Sequence, residues 1–124
     1  MLALTPATRI YLAAGATDMR KSFDTLAAIV TNELTGDLLS GHLFVFCNAG
    51  RNRLKVMYWD GSGLWVSAKR LEKGTFAWPK CDGPSCELTR EQLMMLIAGV
   101  DLQQTRARRW YRVEKTAGFV RKAS

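Results

Sequence analysis

Residues 42–79, HLFVFCNAGRNRLKVMYWDGSGLWVSAKRLEKGTFAWP, decide the fold class. His42–Cys47 is rich in β-branched and aromatic residues, and Asn48-Ala-Gly50 reads as a turn. Arg53–Trp59 alternates: Leu54, Val56 and Tyr58 point one way, Arg53, Lys55, Met57 and Trp59 the other. Asp60-Gly-Ser-Gly63 is a short-range hairpin signal, after which Leu64, Val66 and Ala68 oppose Trp65, Ser67 and Lys69. Glu72-Lys-Gly74 turns the chain again, and Thr75–Trp78 reads as a short last strand that Pro79 stops. Three tight connections in a row predict an antiparallel meander of four strands rather than a βαβ sheet.

Upstream, Arg9–Ala13 is a short strand closed by Gly15. Thr17 or Asp18 then caps a helix over residues 19–34, whose apolar stripe is Phe23, Leu26, Ala27, Val30 and Leu34. Gly36-Asp37 ends it. Downstream, residues 79–86 are loop by composition, and Thr89-Arg-Glu-Gln92 has the spacing of a capping box. The apolar run Leu93, Met94, Leu96, Ile97 and Val100 makes a short helix. The expectation is α+β: one domain over residues 1–102, a small antiparallel meander packed with two helices. A basic C-terminal tail, residues 103–124, follows without a clean period.

At 124 residues the chain has room for one domain and one core. Its 48% hydrophobic and 23% charged content is that of a globular protein rather than a disordered one. No apolar run approaches the ~18 residues of a membrane span, and the first residues lack a signal-peptide pattern. The expectation is a cytoplasmic protein without a membrane partner. Three cysteines in such a chain read as reduced thiols.

Charge carries the functional information. The net charge is +7 and sits in two places. The middle of the chain holds Arg51, Arg53, Lys55, Lys69, Arg70 and Lys73 against Asp60 and Glu72. The tail holds Arg106, Arg108, Arg109, Arg112, Lys115, Arg121 and Lys122 against Glu114. Such an asymmetry fits a polyanion or an acidic protein.

The catalytic inventory is thin. His42 stands alone in a strand, and no nucleophile motif, P-loop or dinucleotide fingerprint occurs. Of the candidate metal ligands Asp18, Asp24, Asp60 and Asp101, the first three read as a cap, a solvated helix position and a turn former, so no converging set of carboxylates is expected. Cys81-x4-Cys86 offers one knuckle where structural zinc needs two. The chain therefore reads as non-enzymatic, with no catalytic residues, metal or cofactor. The basic-aromatic hairpins remain: Arg53, Lys55, Met57 and Trp59, joined by Trp65, Ser67 and Lys69 of the next strand, read as one face. Phosphate neutralisation plus base stacking would use that pattern, and so would a protein interface.

Three segments go beyond generic pattern: GATDMRKSFDTL at 15–26, RLKVMYWD at 53–60 and GSGLWVSAKRLEKGTFAWP at 61–79. In order and spacing they resemble the accessory protein encoded by the second open reading frame of the IS-sixty-six family of bacterial insertion sequences. The resemblance runs from about Arg9 to Leu102; Thr17–Lys21 and Lys69–Pro79 are its specific parts. It implies a protein needed for transposition, working beside a separate transposase and a small first-frame protein. It carries no catalytic or binding residue over. Cys47, Cys81 and Cys86 depart from the family's usual pattern, which weakens zinc further.

Two functions are expected from this reading. One is a DNA-binding accessory factor using Arg51, Arg53, Lys55, Lys69, Arg70 and Lys73 on the sheet and Arg106, Arg108, Arg109 and Arg112 in the tail. The other is an adaptor that grips the transposase or first-frame protein through Trp59 and Trp65.

Overall fold

A computed structural model describes residues 7–99. Five strands form one sheet: β1 (Ile10–Ala13), β2 (Leu43–Cys47), β3 (Arg53–Trp59), β4 (Leu64–Arg70) and β5 (Ser85–Leu88). Their order across the sheet is β4-β3-β2-β1-β5. Two helices, α1 (Phe23–Asn32) and α2 (Arg90–Ile97), and a 3-10 turn at Leu38–Ser40 complete the described elements. The class is α+β, as expected, but the sheet is mixed.

The expected meander holds for β2, β3 and β4, which pair antiparallel in sequence order. Its fourth strand does not form. Thr75–Trp78 crosses the sheet as an irregular segment, burying Phe76 to 2% exposure. The backbone N–H of Phe76 donates to Arg51 O, and Trp78 Nε1 donates to Ala13 O at 2.9 Å. These aromatics cover the sheet instead of extending it. The sheet is completed from the other side by β5, hidden in a stretch whose first residues read as loop.

β1 runs parallel to β2 and antiparallel to β5. β1, α1 and β2 therefore make the crossover that the sequence reading excluded. The physical reason lies in β2, whose five residues are all buried: an interior strand covered on both faces reads as a continuous apolar run.

Two apolar clusters lie on opposite faces of the sheet. Met57, Phe44, Phe46 and Ala13 meet Leu26 and Val30 of α1. Leu54, Val56, Tyr58, Leu43 and Val45 meet Leu93 and Leu96 of α2, together with Phe76. Each such fully buried side chain contributes about 1.5–3 kcal/mol relative to exposure.

Helix α1 is shorter than the expected 19–34 and is capped by neither Thr17 nor Asp18. Ser22 is the cap, and its backbone N–H donates to Thr25 Oγ1 at 3.1 Å. Helix α2 begins at the expected box: Thr89 Oγ1 accepts from Gln92 N, and Gln92 Oε1 accepts from Thr89 N. Cys81 and Cys86 form a disulfide, correcting the expectation of three reduced thiols; Cys47 alone is free, and it is buried. Pairing of β5 with β1 fixes Cys86, and the loop before it returns Cys81 to a Cα separation of 5.3 Å, inside bonding range. Among the described residues no helix is long and apolar enough to cross a membrane.

Candidate nucleic-acid interface

The β3–β4 register decides where the cations go. A two-residue loop, Gly61-Ser62, sets Asp60 opposite Gly63, with Asp60 N donating to Gly63 O at 3.0 Å. Gly61 supplies the positive φ of 104° that this turn requires. Odd positions of β3 then face even positions of β4: Arg53 meets Arg70, Lys55 meets Ala68, Met57 meets Val66 and Trp59 meets Leu64. Directly opposite residues share a face.

The single basic-aromatic face therefore splits. Arg53, Lys55 and Arg70 lie on the α1 side; Trp65, Ser67 and Lys69 lie on the α2 side with Leu54, Val56 and Tyr58. Met57, read as outward, is fully buried beneath α1 because that face is covered too. The two tryptophans stand on opposite faces.

On the α1 side one corner gathers cations. Lys55 Nζ reaches the backbone to donate to Lys21 O at 2.7 Å, tying β3 to the loop before α1. That loop and the Asn48–Gly50 turn border an open groove of about 450 Å³, with Asp18, Arg20 and Arg53 on its walls. Asn48 Oδ1 accepts from the N–H groups of Asn52 and Arg53, which sets the start of β3. Among the described residues, two of the cations Arg20, Lys21, Arg53, Lys55 and Arg70 have carboxylate partners. Asp18 takes the Arg20 guanidinium through both oxygens, and Glu72 takes Arg70 at 3.1 Å. The Arg20 side-chain hydrogen bonds, with its backbone N–H, hold the Asp18 carboxyl down at about 2.

The remaining expected cations are elsewhere. Arg51, in a left-handed conformation at φ 58°, turns its guanidinium over Trp78, 5.3 Å from the ring centroid. It also sits by Cys47, whose thiol burial pushes up and the guanidinium partly restrains. Arg51 thus serves as an internal strut. Lys69 Nζ donates to Ile97 O at the end of α2, and Lys73 is exposed in the turn after β4. Arg106, Arg108, Arg109 and Arg112 lie outside the described residues. The sequence reading missed Arg20 and Lys21; their signal was the Thr17–Lys21 block itself, taken there as a cap.

Trp65 is 45% exposed and rigidly set. Its ring lies parallel to Tyr58 within 6°, at 6.1 Å between centroids, and its Nε1 donates to Asp60 Oδ2 at 2.7 Å. Trp59 is partly buried.

His42 Nδ1 accepts from Arg9 N at 3.0 Å, a structural contact. Among the described residues no three His, Cys, Asp or Glu side chains group to hold a metal ion.

Residues 8–107 match the model of the IS66 Orf2-like protein family. An uncharacterized protein of Sinorhizobium fredii (strain NBRC 101917 / NGR234), y4hO, is 40% identical over 93 residues, covering 75% of this chain and 81% of its own length. A second uncharacterized protein of that strain, y4jC, is 35% identical over 107 residues, covering 86% of this chain and 85% of its own. No solved structure matches. With the family's pattern spanning every described element of the sheet and both helices, the chain belongs to the IS66 Orf2-like family of insertion-sequence proteins.

Proposed function

We propose that this protein is a non-catalytic accessory factor of transposition that contacts the DNA of its element through the cationic corner built from Arg20, Lys21, Arg53, Lys55 and Arg70. The observation that carries this reading is the direct opposition of Arg53 and Arg70 beside the Arg20 groove. Opposed like charges destabilise an antiparallel pair. Of these two, only Arg70 has a carboxylate partner among the described residues, so an external polyanion is the natural complement. The contact neutralises phosphates and carries no sequence code of its own, so it positions the protein while the transposase does the chemistry.

The rigid, half-exposed Trp65 supports a second reading, an adaptor that grips the transposase or first-frame protein. A pull-down with the transposase, with and without nuclease, separates the two. Under the DNA reading, nuclease removes the association. Survival of the complex without DNA contradicts it and supports the adaptor.

A further inference from the structure

Among the described residues the outer edge of β4 is open, with no strand beyond it in the sheet. The ladder bonds that flank it, Asp60 N to Gly63 O and Leu71 N to Asn52 O, both engage odd-numbered residues on the β4 side. Antiparallel ladders alternate, so Trp65, Ser67 and Lys69 direct their backbone groups to β3. Leu64, Val66, Ala68 and Arg70 direct theirs outward. The strand runs seven residues in unbroken register, without proline or bulge. Edges are ordinarily shielded by such devices or by shortness; β5, at the opposite edge, has only four residues.

The edge is polarised end to end. Lys69, Arg70 and the following Lys73, against Glu72 paired with Arg70, leave one end net basic. At the other end Asp60 accepts from Ser62 N, Gly63 N and Trp65 Nε1, bonds that favour its charged form. An antiparallel copy of the same strand brings basic end against acidic end. We propose that β4 pairs with β4 of a second copy of this chain, antiparallel about Ser67, to make one continuous sheet.

In this register Val66 and Ala68 exchange backbone bonds with the partner's Ala68 and Val66, and Leu64 and Arg70 do the same at the ends. Trp65 comes opposite the partner's Lys69 in a non-hydrogen-bonded pair, where side chains lie closest. Its inner ring face is taken by Tyr58, which leaves the outer face to the stem of the partner's Lys69, whose Nζ is held by Ile97 O of its own chain. Every outward group of the edge finds a partner, and the pairing stands apart from the DNA reading.

The test is sedimentation of the nuclease-treated full chain across a concentration series, with hydrogen exchange at β4. The expected result is a concentration-dependent dimer in which the Val66 and Ala68 amides are protected. Ala68→Pro removes one outward donor without touching the β3 ladder, and is expected to weaken association by about tenfold or more. Lys69→Glu, which reverses the charge facing the partner's Trp65 and also gives up the bond to Ile97 O, weakens it too, and with its fold checked carries the test if the proline variant does not fold. A chain that stays monomeric throughout overturns the proposal. So does a dimer indifferent to both changes, or a monomer with protected Val66 and Ala68 amides, whose edge is covered from within its own chain.

Discussion

Arg53 and Arg70 face each other across β3 and β4, two cations at one position of the ladder, and among the described residues only Arg70 has a carboxylate partner, Glu72. A sheet corner folded for stability alone would alternate signs there. The fold tolerates the opposition because both side chains lie at the exposed end of the strands, while Met57 and Val56 secure the middle.

That division sets the first prediction. Met57→Ala, which empties a fully buried site beneath α1, should cost about 2–5 kcal/mol in chemical denaturation. Arg53→Ala, four residues earlier on the same face, should stay within about ±0.5 kcal/mol. Equal costs would place the two side chains in similar surroundings and contradict the register.

Acid should loosen the groove with a definite sign. Asp18 titrates at about 2 when folded against an ordinary 3.8, so the folded state holds its charged form more tightly than the unfolded chain does. Its contribution is present above about pH 4 and lost as pH falls towards 2. Asp18→Asn should therefore flatten the fall of the thermal midpoint over that window. A midpoint that drops as steeply in the variant would assign the acid sensitivity to other carboxylates, Asp60 first among them, since its turn hydrogen bonds shift it the same way.

Reduction should matter for stability and spare Cys47. The Cys81–Cys86 disulfide closes a short loop, across a sequence separation of 5, which restricts the unfolded chain by about 2 kcal/mol. Thermal midpoints with and without reductant, compared with Cys81→Ser/Cys86→Ser, measure it; the double variant should match the reduced protein. Cys47 is fully buried and its thiol is pushed up, so thiol reagents should label it only as fast as the protein opens. Rapid labelling of folded protein would contradict its burial.

Much of this fold is written in local chemistry. Thr89 and Gln92 announce α2, and Asp60-Gly-Ser-Gly63 announces the hairpin, because caps and turns depend on neighbours in sequence. What was illegible depends on partners far along the chain. The parallel pairing of Ile10 with Leu43 and the antiparallel pairing of Ile10 with Leu88 leave no mark within either segment. Met57 looked outward because alternation assigns sides without telling whether one face or both are covered. The split of the basic face was legible in principle: a two-residue turn pairs odd with even positions, so Lys69 could never share a face with Arg53. The corner itself was half visible, its β-strand cations in the alternation and its Arg20 and Lys21 hidden in a loop mistaken for a helix start.

The most direct measurement is the salt dependence of binding to duplex DNA carrying the element's ends. Arg20→Gln, Arg53→Gln and Arg70→Gln combined should lower the slope of log K against log salt by up to about three, roughly 0.9 for each phosphate no longer neutralised. The weakening should be alike for all sequences, and Lys69→Ala, on the opposite face, should leave the slope unchanged. A folded triple variant with the slope of the unaltered protein would contradict DNA contact through this corner.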